Sequence, residues 1–397
     1  MDLVVANATI LSGADEPLEA DIEIRNGRIV AIQPGLALHA KSEVLHAAGR
    51  TVIPGLIDAH FHAYAVALYD DEIERLPLSY VALKARQRLE RALHRGFTTV
   101  RDVAGGDPGL AEAIRQGLVQ APRYLYTGPG LSQTGGHGDP RDVLHEDGRP
   151  LGGTMTQVVD GPDALRRVSR ELFRRGAHAI KLMTSGGVIS LTDPLANPQF
   201  TAAEIAAVVE VASARGSYVC AHAYSPEAID HSVRNGVRSI EHGNFLDEPT
   251  ATLMAQAGSF LVPTLAAYDA MARRGASCGL SPISQRKNSE VLQAGGRAIE
   301  VAHAAGVPVG FGTDLMGDLE DDQLRGLALQ VEVNGIRGAL LSATETNAAL
   351  LGIDDIGRLA PGSQGDLVVL DGDLLADPSL LWNESHPRTV VKGGMIV

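Results

Sequence analysis

The sequence has few of the residues that mark disulfide-rich, nucleic-acid-binding or membrane proteins. Cysteine occurs twice in 397 residues, at Cys220 and Cys278, which is too few for a disulfide framework. Basic residues number 34 against 48 acidic ones, and the net charge of −14 with no basic run disfavours nucleic acids and anionic membranes as partners. No apolar stretch approaches the roughly 20 residues of a membrane helix. Because the start lacks the positively charged region of a secretory signal, a cytoplasmic location is expected.

An alternation of short β-type runs and helical patterns fills the middle of the chain. Helical segments such as DALRRVSRELFRRG and AEIAAVVEVASARG end in glycine just before the next run, as helices commonly do. The predicted strands are Val52–Ala59, Thr98–Val103, Tyr124–Thr127, Ala179–Met183, Tyr218–His222, Ser239–Glu241, Phe260–Val262 and Val309–Phe311. Eight strands alternating with helices predict an α/β fold of the (β/α)8 TIM-like barrel type, with its chemistry at the carboxyl ends of the strands.

Both ends of the chain are typical of short strands joined by turns. The pair Asn26-Gly27 lies between apolar residues and is a strong hairpin signal. Near the other end, GDLVVLDG and RTVVKGGMIV are β-type runs broken by glycine. We therefore predict a small β-sandwich domain built from residues 1–52 and 359–397, next to a barrel of residues 53–358.

Six residues that could bind metal lie on or directly after the predicted strands. The stretch IPGLIDAHFHA ends the first strand with His60 and His62, which share one face if the strand stays extended. The other candidates follow in strand order: Lys181, His222, His242 and Asp314. Imidazole and carboxylate suit zinc, manganese, iron or cobalt, and no thiolate is placed to join them.

Each of these residues also has an ordinary structural explanation. A single histidine at a strand end is more often structural than a ligand, and an aspartate after Gly-Thr, as at Asp314, commonly caps a helix. Lys181 could extend from a strand end or form an ion pair. Asp58, two residues before His60, could orient that ligand or cap a turn. The metal-site prediction depends on separate strands bringing candidate ligands to the same end of one barrel.

The motifs PGLIDAHFHA, AHA, EHG and GTD, together with Lys181, resemble those of the amidohydrolase superfamily, specifically its members with two metals and a carboxylated lysine. The resemblance covers essentially the whole chain. It implies two divalent metals, expected to be zinc, with Lys181 as N6-carboxylysine bridging them. The implied ligands are His60, His62 and Asp314 for the first metal, and His222 and His242 for the second. It further implies that Asp314 moves the proton and that the chain forms a homo-oligomer.

Three further residues are candidates for binding the substrate. The glycine-rich stretch LSQTGGHGDP presents His137, either as a donor to the scissile carbonyl oxygen or as a residue that caps backbone. Tyr224, two residues beyond a candidate ligand, is either a substrate contact or an aromatic residue at the rim. Arg101, in TTVRDVAG, could bind a substrate carboxylate or form an internal ion pair with Asp102.

Taken together, the motifs look most like the branch of imidazolonepropionase-related peptidases. Members of this branch cleave Xaa-Pro dipeptides, as a prolidase does, or act as carboxypeptidases on short N-blocked peptides, and close relatives hydrolyse ochratoxin. The resemblance implies a hydrolase for the amide bond of a dipeptide or N-acyl amino acid with a free carboxylate, acting through a metal-bridging hydroxide. Its partner would be a small amide or peptide. The alternatives are an ochratoxin-type amidohydrolase, a hydrolase of cyclic amides such as imidazolones, and a non-catalytic scaffold.

Overall fold

The computed structural model describes residues 2–13, 16–36, 42–141 and 153–397. The strands are β1 Asp2–Ile10, β2 Leu18–Arg25, β3 Arg28–Gln33, β4 Glu43–His46, β5 Thr51–Pro54, β6 Leu56–Phe61, β7 Phe97–Asp102, β8 Arg123–Tyr126, β9 Gly130–Ser132, β10 Thr156–Val158, β11 Ile180–Met183, β12 Val219–Ala223, β13 Ser239–His242, β14 Phe260–Val262, β15 Leu367–Leu370, β16 Arg388–Lys392 and β17 Met395–Ile396. The helices are α1 Asp70–Glu74, α2 Leu78–His94, α3 Pro108–Arg115, α4 Pro162–Arg174, α5 Ala202–Ser213, α6 Pro226–Arg234, α7 Glu248–Ala257, α8 Leu265–Arg274, α9 Pro282–Ala305, α10 Gln323–Leu341 and α11 Asn347–Leu351. Two 3-10 helices cover Gly317–Asp322 and Pro378–Leu381, and a π-helical turn covers Ser342–Thr346. Among the helices in these ranges, none has the length and apolar character needed to cross a membrane.

Both ends of the chain meet in one sheet. Its strand order is β17-β16-β15-β5-β1-β2-β3, with β4 also paired to β1. β5 joins the two ends, because it pairs in parallel with β1 and antiparallel with β15. The predicted hairpin connects β2 and β3, and Asn26 and Gly27 in its turn have φ of 49° and 78°, the positive values that a type I′ turn requires.

The middle strands pair in parallel in two groups. Their orders are β6-β7-β8 and β10-β9-β11-β12-β13-β14. Backbone hydrogen bonds link the groups, since the N–H of His178 donates to Tyr126 O at 2.7 Å between β8 and β11. Beyond β14, Leu261 bridges Val309, and the N–H of Ala59 in β6 donates to Phe311 O at 3.0 Å. Parallel neighbours have their carboxyl ends at the same edge, so side chains at these ends come together.

Two predicted strands differ from the structure, whereas the other six agree with it to within one residue at each end. The first predicted run is divided at Gly55 into β5, in the terminal sheet, and β6. A Cβ at Gly55 would overlap the side chain of Thr98. The last run, 309–311, forms a single bridge instead of a strand. A side chain also bonds to this run, because Asn347 Oδ1 accepts from the N–H of Phe311 at 3.1 Å and its Nδ2 donates to Phe311 O at 2.7 Å.

The helices between the middle strands bury one face against them. At the start of α5, the N–H of Thr201 donates to the Glu204 carboxylate at 2.7 Å and the N–H of Glu204 donates to the Thr201 hydroxyl at 3.4 Å, a capping box. Ile205, Val208 and Ala212, spaced three and four residues apart, lie in the core that β11 and β12 also line. This packing holds the strands, and with them the residues at their carboxyl ends.

Candidate metal centre and active site

Eight of the nine predicted site residues line one cavity at the carboxyl ends of the middle strands. The cavity has a volume of about 390 Å³, within the range of small-molecule sites. The eight residues are His60, His62, His137, Lys181, His222, Tyr224, His242 and Asp314. The remaining residue, Arg101, lies elsewhere and is described below.

Three of these residues could share one metal ion. His60, His62 and Asp314 each offer a ligand atom, and these atoms all lie within 4.8 Å of one another. Asp314 Oδ1 lies 2.8 Å from Nε2 of His62 and 3.3 Å from Nε2 of His60. The ring centroid of His242 lies 5.0 Å from that of His60 and 4.5 Å from that of His222. The structure therefore brings the four predicted histidines and the aspartate into one cluster.

The Nδ1 atoms of the two histidines at the end of β6 lie close to oxygen atoms of the protein, some of them in carboxylates. His60 Nδ1 lies 2.7 Å from Glu241 Oε2. His62 Nδ1 lies 3.3 Å from Ala104 O and 4.0 Å from Asp102 Oδ1. When Nδ1 donates its proton to these oxygens, the Nε2 lone pair of each ring is left for a metal, as in most metal-binding histidines.

The other two histidines are held by uncharged groups. His222 Nε2 lies 3.0 Å from Gly186 O, and His242 Nδ1 lies 2.8 Å from both Thr264 Oγ1 and Tyr268 OH. Burial lowers the pKa of both imidazoles well below the usual value, so both are neutral, the form that binds metal. Here too one ring nitrogen is occupied by the protein, and the other is left for a metal.

Two of the candidate ligands have a left-handed backbone. The angle φ is 75° at His242 and 53° at Asp314, a conformation that costs on the order of 1–3 kcal/mol in a residue other than glycine. At Asp314 a backbone hydrogen bond offsets this cost, because its N–H donates to His60 O at 2.8 Å. Gly312 permits the approach, since a Cβ there would lie 2.5 Å from that of His60. The strained turn therefore directs Asp314 toward the histidines of β6.

Asp58 connects the segments that carry the first and last candidate ligands. Its Oδ1 accepts from the N–H groups of His60 and Thr313, each at 3.1 Å. Its Oδ2 accepts from the Thr313 hydroxyl at 2.6 Å and from Gln323 Nε2 at 3.0 Å. Burial raises the pKa of Asp58, and these donors oppose the rise. Of the two predicted roles of Asp58, the structure therefore supports the first: it orients His60. It also orients Thr313, the residue before Asp314.

Lys181 lies on β11 with 2% of its surface exposed, and its side chain lines the cavity. Within the described ranges, no hydrogen bond or ion pair joins its amine to another residue. Burial lowers the pKa of this amine, although Glu241 opposes the shift. The structural alternative for Lys181, an ion pair, is therefore not found among the described residues, and the neutral amine is favoured.

The position of Arg101 corrects its prediction as a substrate-binding residue. Its side chain is fully buried, and its guanidinium donates to Ala59 O at 2.6 Å and to Glu241 Oε1 at 2.8 Å. The internal ion pair exists, but with Glu241 instead of Asp102, because adjacent residues of a strand face opposite sides. Burial would lower the pKa of Arg101 and raise that of Glu241, but their pairing reverses both shifts. Arg101 thus keeps Glu241 ionised behind His60.

His137 lies inside the cavity, against a candidate ligand. Its ring stacks on that of His222 with the centroids 4.3 Å apart, and its Nδ1 lies 2.8 Å from Ser190 Oγ. Gly187 packs against the same ring, so closely that any Cβ there would overlap the imidazole. Burial lowers the pKa of His137, with Asp193 opposing, so the ring is neutral. This position suits a contact with substrate.

Lys287 of α9 fixes the segment that holds His137. Its ammonium donates to three carbonyl oxygens, those of Gly187 at 2.9 Å, Ser190 at 2.8 Å and Asp193 at 2.7 Å. Three charge-assisted hydrogen bonds to one segment restrict its movement. The neutral imidazole and the loop beside it are therefore positioned from a helix that carries none of the predicted site residues.

Tyr224 lies within the cavity and not at its rim. Its side chain is buried, with its ring centroid 5.2 Å from that of His242. Its hydroxyl lies 2.9 Å from that of Tyr268. Burial raises the pKa of Tyr224, so the hydroxyl keeps its proton and can donate a hydrogen bond.

Apart from Asp58, the residues that support the ligands were not predicted from the sequence. Glu241 directly precedes His242 in SIEHG, so the motif contained a signal for it. Tyr268 and Lys287 lie on α8 and α9, where nothing in the local pattern distinguishes them from other helical residues.

Several known hydrolases are similar to this chain over nearly its whole length. A prolidase complexed with N-methylphosphonate-L-proline is 39% identical, has a TM-score of 0.97 and matches over 100% of this chain and 99% of its own. A Xaa-Pro dipeptidase with bound methionine is 28% identical, with a TM-score of 0.88 and 100% of both chains covered. Ochratoxinase from Aspergillus niger is 29% identical over 421 residues, covering 99% of this chain and 86% of the relative. Residues 51–397 match the amidohydrolase family model, and the chain therefore belongs to the amidohydrolase family, as a hydrolytic enzyme acting on C–N bonds.

Proposed function

We propose that this enzyme hydrolyses the amide bond of a dipeptide with a free carboxylate, with Xaa-Pro as the first candidate. The observation that carries the proposal is the convergence of four histidines, Lys181 and Asp314 in one cavity, with one nitrogen of each imidazole left for a metal. The similarity to a prolidase and to a Xaa-Pro dipeptidase favours the dipeptide. The similarity to ochratoxinase supports an N-acyl amino acid as the second candidate.

Two divalent metals, zinc first among them, are the cofactors that this donor set fits. The ligands would divide into two sites, with Lys181 shared as N6-carboxylysine: His60, His62 and Asp314 in one, His222 and His242 in the other. The lowered pKa of Lys181 supports this, because the neutral amine is the form that reacts with carbon dioxide. When bound, the metals would lower the pKa of a shared water and polarise the substrate carbonyl.

Asp314 would move the proton during hydrolysis. Burial would raise its pKa, but His60 and His62 hold the pKa well below the usual range. The carboxylate is thus ionised and able to accept a proton from the attacking water. It would then deliver this proton to the leaving amine.

His137 and Tyr224 would bind the substrate. Nδ1 of His137 lies 2.8 Å from the Ser190 hydroxyl, and in the tautomer with its proton on Nε2 the ring would donate that proton to the scissile carbonyl oxygen. The Tyr224 hydroxyl would donate to the substrate carboxylate or to the same oxygen. Both donors are buried and held by neighbours, so they lose little entropy when substrate binds.

The architecture that we infer for this function is a (β/α)8 barrel of residues 53–358 beside a β-sandwich domain of residues 1–52 and 359–397. The contacts that lead from β6 through β14 and residues 309–311 back to β6 support the barrel. The pairing of β5 with β1 and β15 supports a terminal domain built from both ends. A homo-oligomeric state and a cytoplasmic location stay predictions.

Assays of the zinc-loaded enzyme on Xaa-Pro dipeptides, N-acyl amino acids and ochratoxin would test this function. We expect release of the free C-terminal amino acid, with the greatest kcat/KM on an Xaa-Pro dipeptide. A metal-free sample serves as the control. Absence of turnover on every carboxylate-bearing amide, by enzyme shown to contain two metals, would contradict the proposal.

A further inference from the structure

The wall of the cavity contains a carboxylate, Asp70, that has no cationic partner among the residues that the structure describes. Outside the candidate metal ligands and Lys181, the charged residues on the wall that lie in the described ranges are Asp70, Asp71, Arg75, Asp139 and Arg141. Asp71 pairs with Arg75 at 2.6 Å, and Asp139 pairs with Arg141 at 2.7 Å. Asp70 forms no ion pair with any residue in the described ranges. Outside the candidate ligands, Asp70 is therefore the one wall carboxylate in the described part of the chain that is not paired with a cation.

The surroundings of Asp70 leave this charge poorly compensated. Its Oδ2 accepts a hydrogen bond from the Thr156 hydroxyl at 3.0 Å. Burial raises the pKa of Asp70, and Glu74 and Asp71 raise it further, whereas Thr156 and His62 lower it. Asp70 and Thr156 line the same cavity as the candidate metal ligands. A cation that entered here would remove an unfavourable interaction and gain a charge-assisted hydrogen bond.

Building on the proposed function, we propose that Asp70 binds a cationic nitrogen on the acyl half of the substrate. The amide that is cleaved has its carboxylate on the leaving half. The Asp70 carboxylate would repel the carboxylate of the leaving half. We therefore assign Asp70 to the subsite of the acyl half. An ammonium on the acyl half, either an α-amine or a basic side chain, would supply the cationic partner that Asp70 lacks among the described residues. The enzyme is then a dipeptidase that disfavours N-blocked substrates with neutral side chains.

Four substrates and two variants separate the sources of the cation. The substrates are Ala-Pro, N-acetyl-Ala-Pro, Lys-Pro and N-acetyl-Lys-Pro, and the variants are Asp70→Asn and the matched control Asp71→Asn, whose carboxylate is already paired. When the α-amine is the cation, Asp70→Asn lowers kcat/KM on Ala-Pro about 10-fold or more, with a change below about 3-fold on N-acetyl-Ala-Pro. When the side chain is the cation, the loss appears on the two lysine substrates only. Asp71→Asn should change neither value by more than about 3-fold. Metal content and Tm of each variant verify that the site and the fold are intact.

The two lysine substrates identify which nitrogen Asp70 binds. A loss on Lys-Pro without a loss on N-acetyl-Lys-Pro indicates the α-amine, and a loss on both indicates the side chain. Equal losses on all four substrates, no loss on any, or a wild-type preference for N-acetyl-Ala-Pro over Ala-Pro would overturn the inference while hydrolysis of the amide stands. If two-metal wild-type enzyme cleaves none of the four substrates and no other carboxylate-bearing amide, the proposed function fails and the inference fails with it.

Discussion

The candidate metal centre has two halves, one at the end of β6 and one on β12 and β13. They differ in the groups that contact the histidine nitrogens not left for a metal. At the end of β6, His60 contacts the ionised Glu241, which is paired with Arg101, and His62 has Asp102 within 4.0 Å. On β12 and β13, the partners are a carbonyl oxygen and two hydroxyl groups. The first half also contains Asp314. We refer to them as the charged half and the neutral half.

This difference has a consequence for metal affinity. A carboxylate that accepts the other ring proton makes an imidazole a stronger base and fixes its orientation, and such partners account for about 10–100-fold in affinity. A hydroxyl or carbonyl partner orients the ring with less effect on its basicity. We therefore expect the charged half to hold its metal more tightly, and the neutral half to be more sensitive to the shape of the substrate cavity.

Replacing Asp314, the candidate ligand carboxylate of the charged half, should have the largest effect on kcat. Asp314→Asn removes both a ligand and the proposed proton carrier, so kcat should fall by about 10³-fold, within the range for lost acid–base catalysis. His222→Asn should retain about one metal equivalent, because the charged half is intact. Metal analysis and kcat on the same preparations measure both effects. If His222→Asn lost both metals and Asp314→Asn kept both, the order of the two halves would be reversed.

Glu241→Gln tests the charge behind His60 directly. We expect one of two metal equivalents to bind about 10–100-fold more weakly. We also expect unfolding to need about 3 kcal/mol less, because the fully buried Arg101 guanidinium loses its counter-charge. Titration against a chelator gives the affinity, and denaturant unfolding of the metal-free protein gives the stability.

A double variant distinguishes the two effects of Glu241. Arg101→Met combined with Glu241→Gln removes the unpaired charge, so much of the stability should return while the metal affinity stays low. If stability and metal affinity both recovered, Glu241 would influence metal binding by stabilising the fold and not through its contact with His60.

Loosening the loop beside the neutral half should lower activity without changing metal content. Lys287→Met removes three hydrogen bonds to the segment that holds His137, and we expect kcat/KM to fall about 10-fold, because a small misplacement of a substrate-contacting group is costly. Arg286→Met, at the exposed neighbouring position, is the matched control. Loss of metal from the Lys287 variant would contradict a role confined to His137.

The smallest effect is expected from a neutral partner. Tyr268→Phe removes a hydroxyl from His242 Nδ1 and from Tyr224, but Thr264 still contacts the same nitrogen. The affinity for one metal should fall about 5-fold, the equivalent of one hydrogen bond. The chelator titration used for Glu241→Gln applies here. A loss as large as that of Glu241→Gln would show that charge does not distinguish the two halves.

Local spacing in the sequence was sufficient for the candidate ligands and most of the strands. His60 and His62 share a face because they are two residues apart on an extended strand, and parallel strands place their carboxyl ends at one edge whatever their order. Division of the first predicted strand at Gly55 depends on the approach of Thr98, which no local pattern contains. Likewise, the side chain that accepts from the N–H of Phe311 belongs to Asn347, 36 residues away.

By itself the sequence determined the alternation of strands and helices, the set of candidate ligands and the resemblance to the family, since each depends on residue type and short spacing. Tertiary structure alone decided the partners of Arg101 and Asp70. Arg101 meets Glu241 across 140 residues of chain, whereas Asp102 beside it does not. Asp71 and Asp139 pair with arginines close to them in the sequence, Arg75 and Arg141. Asp70, directly before Asp71, accepts instead from the hydroxyl of Thr156 on a distant segment. Spacing fixes the direction of a side chain on its own element, but the packing of distant elements fixes what it faces.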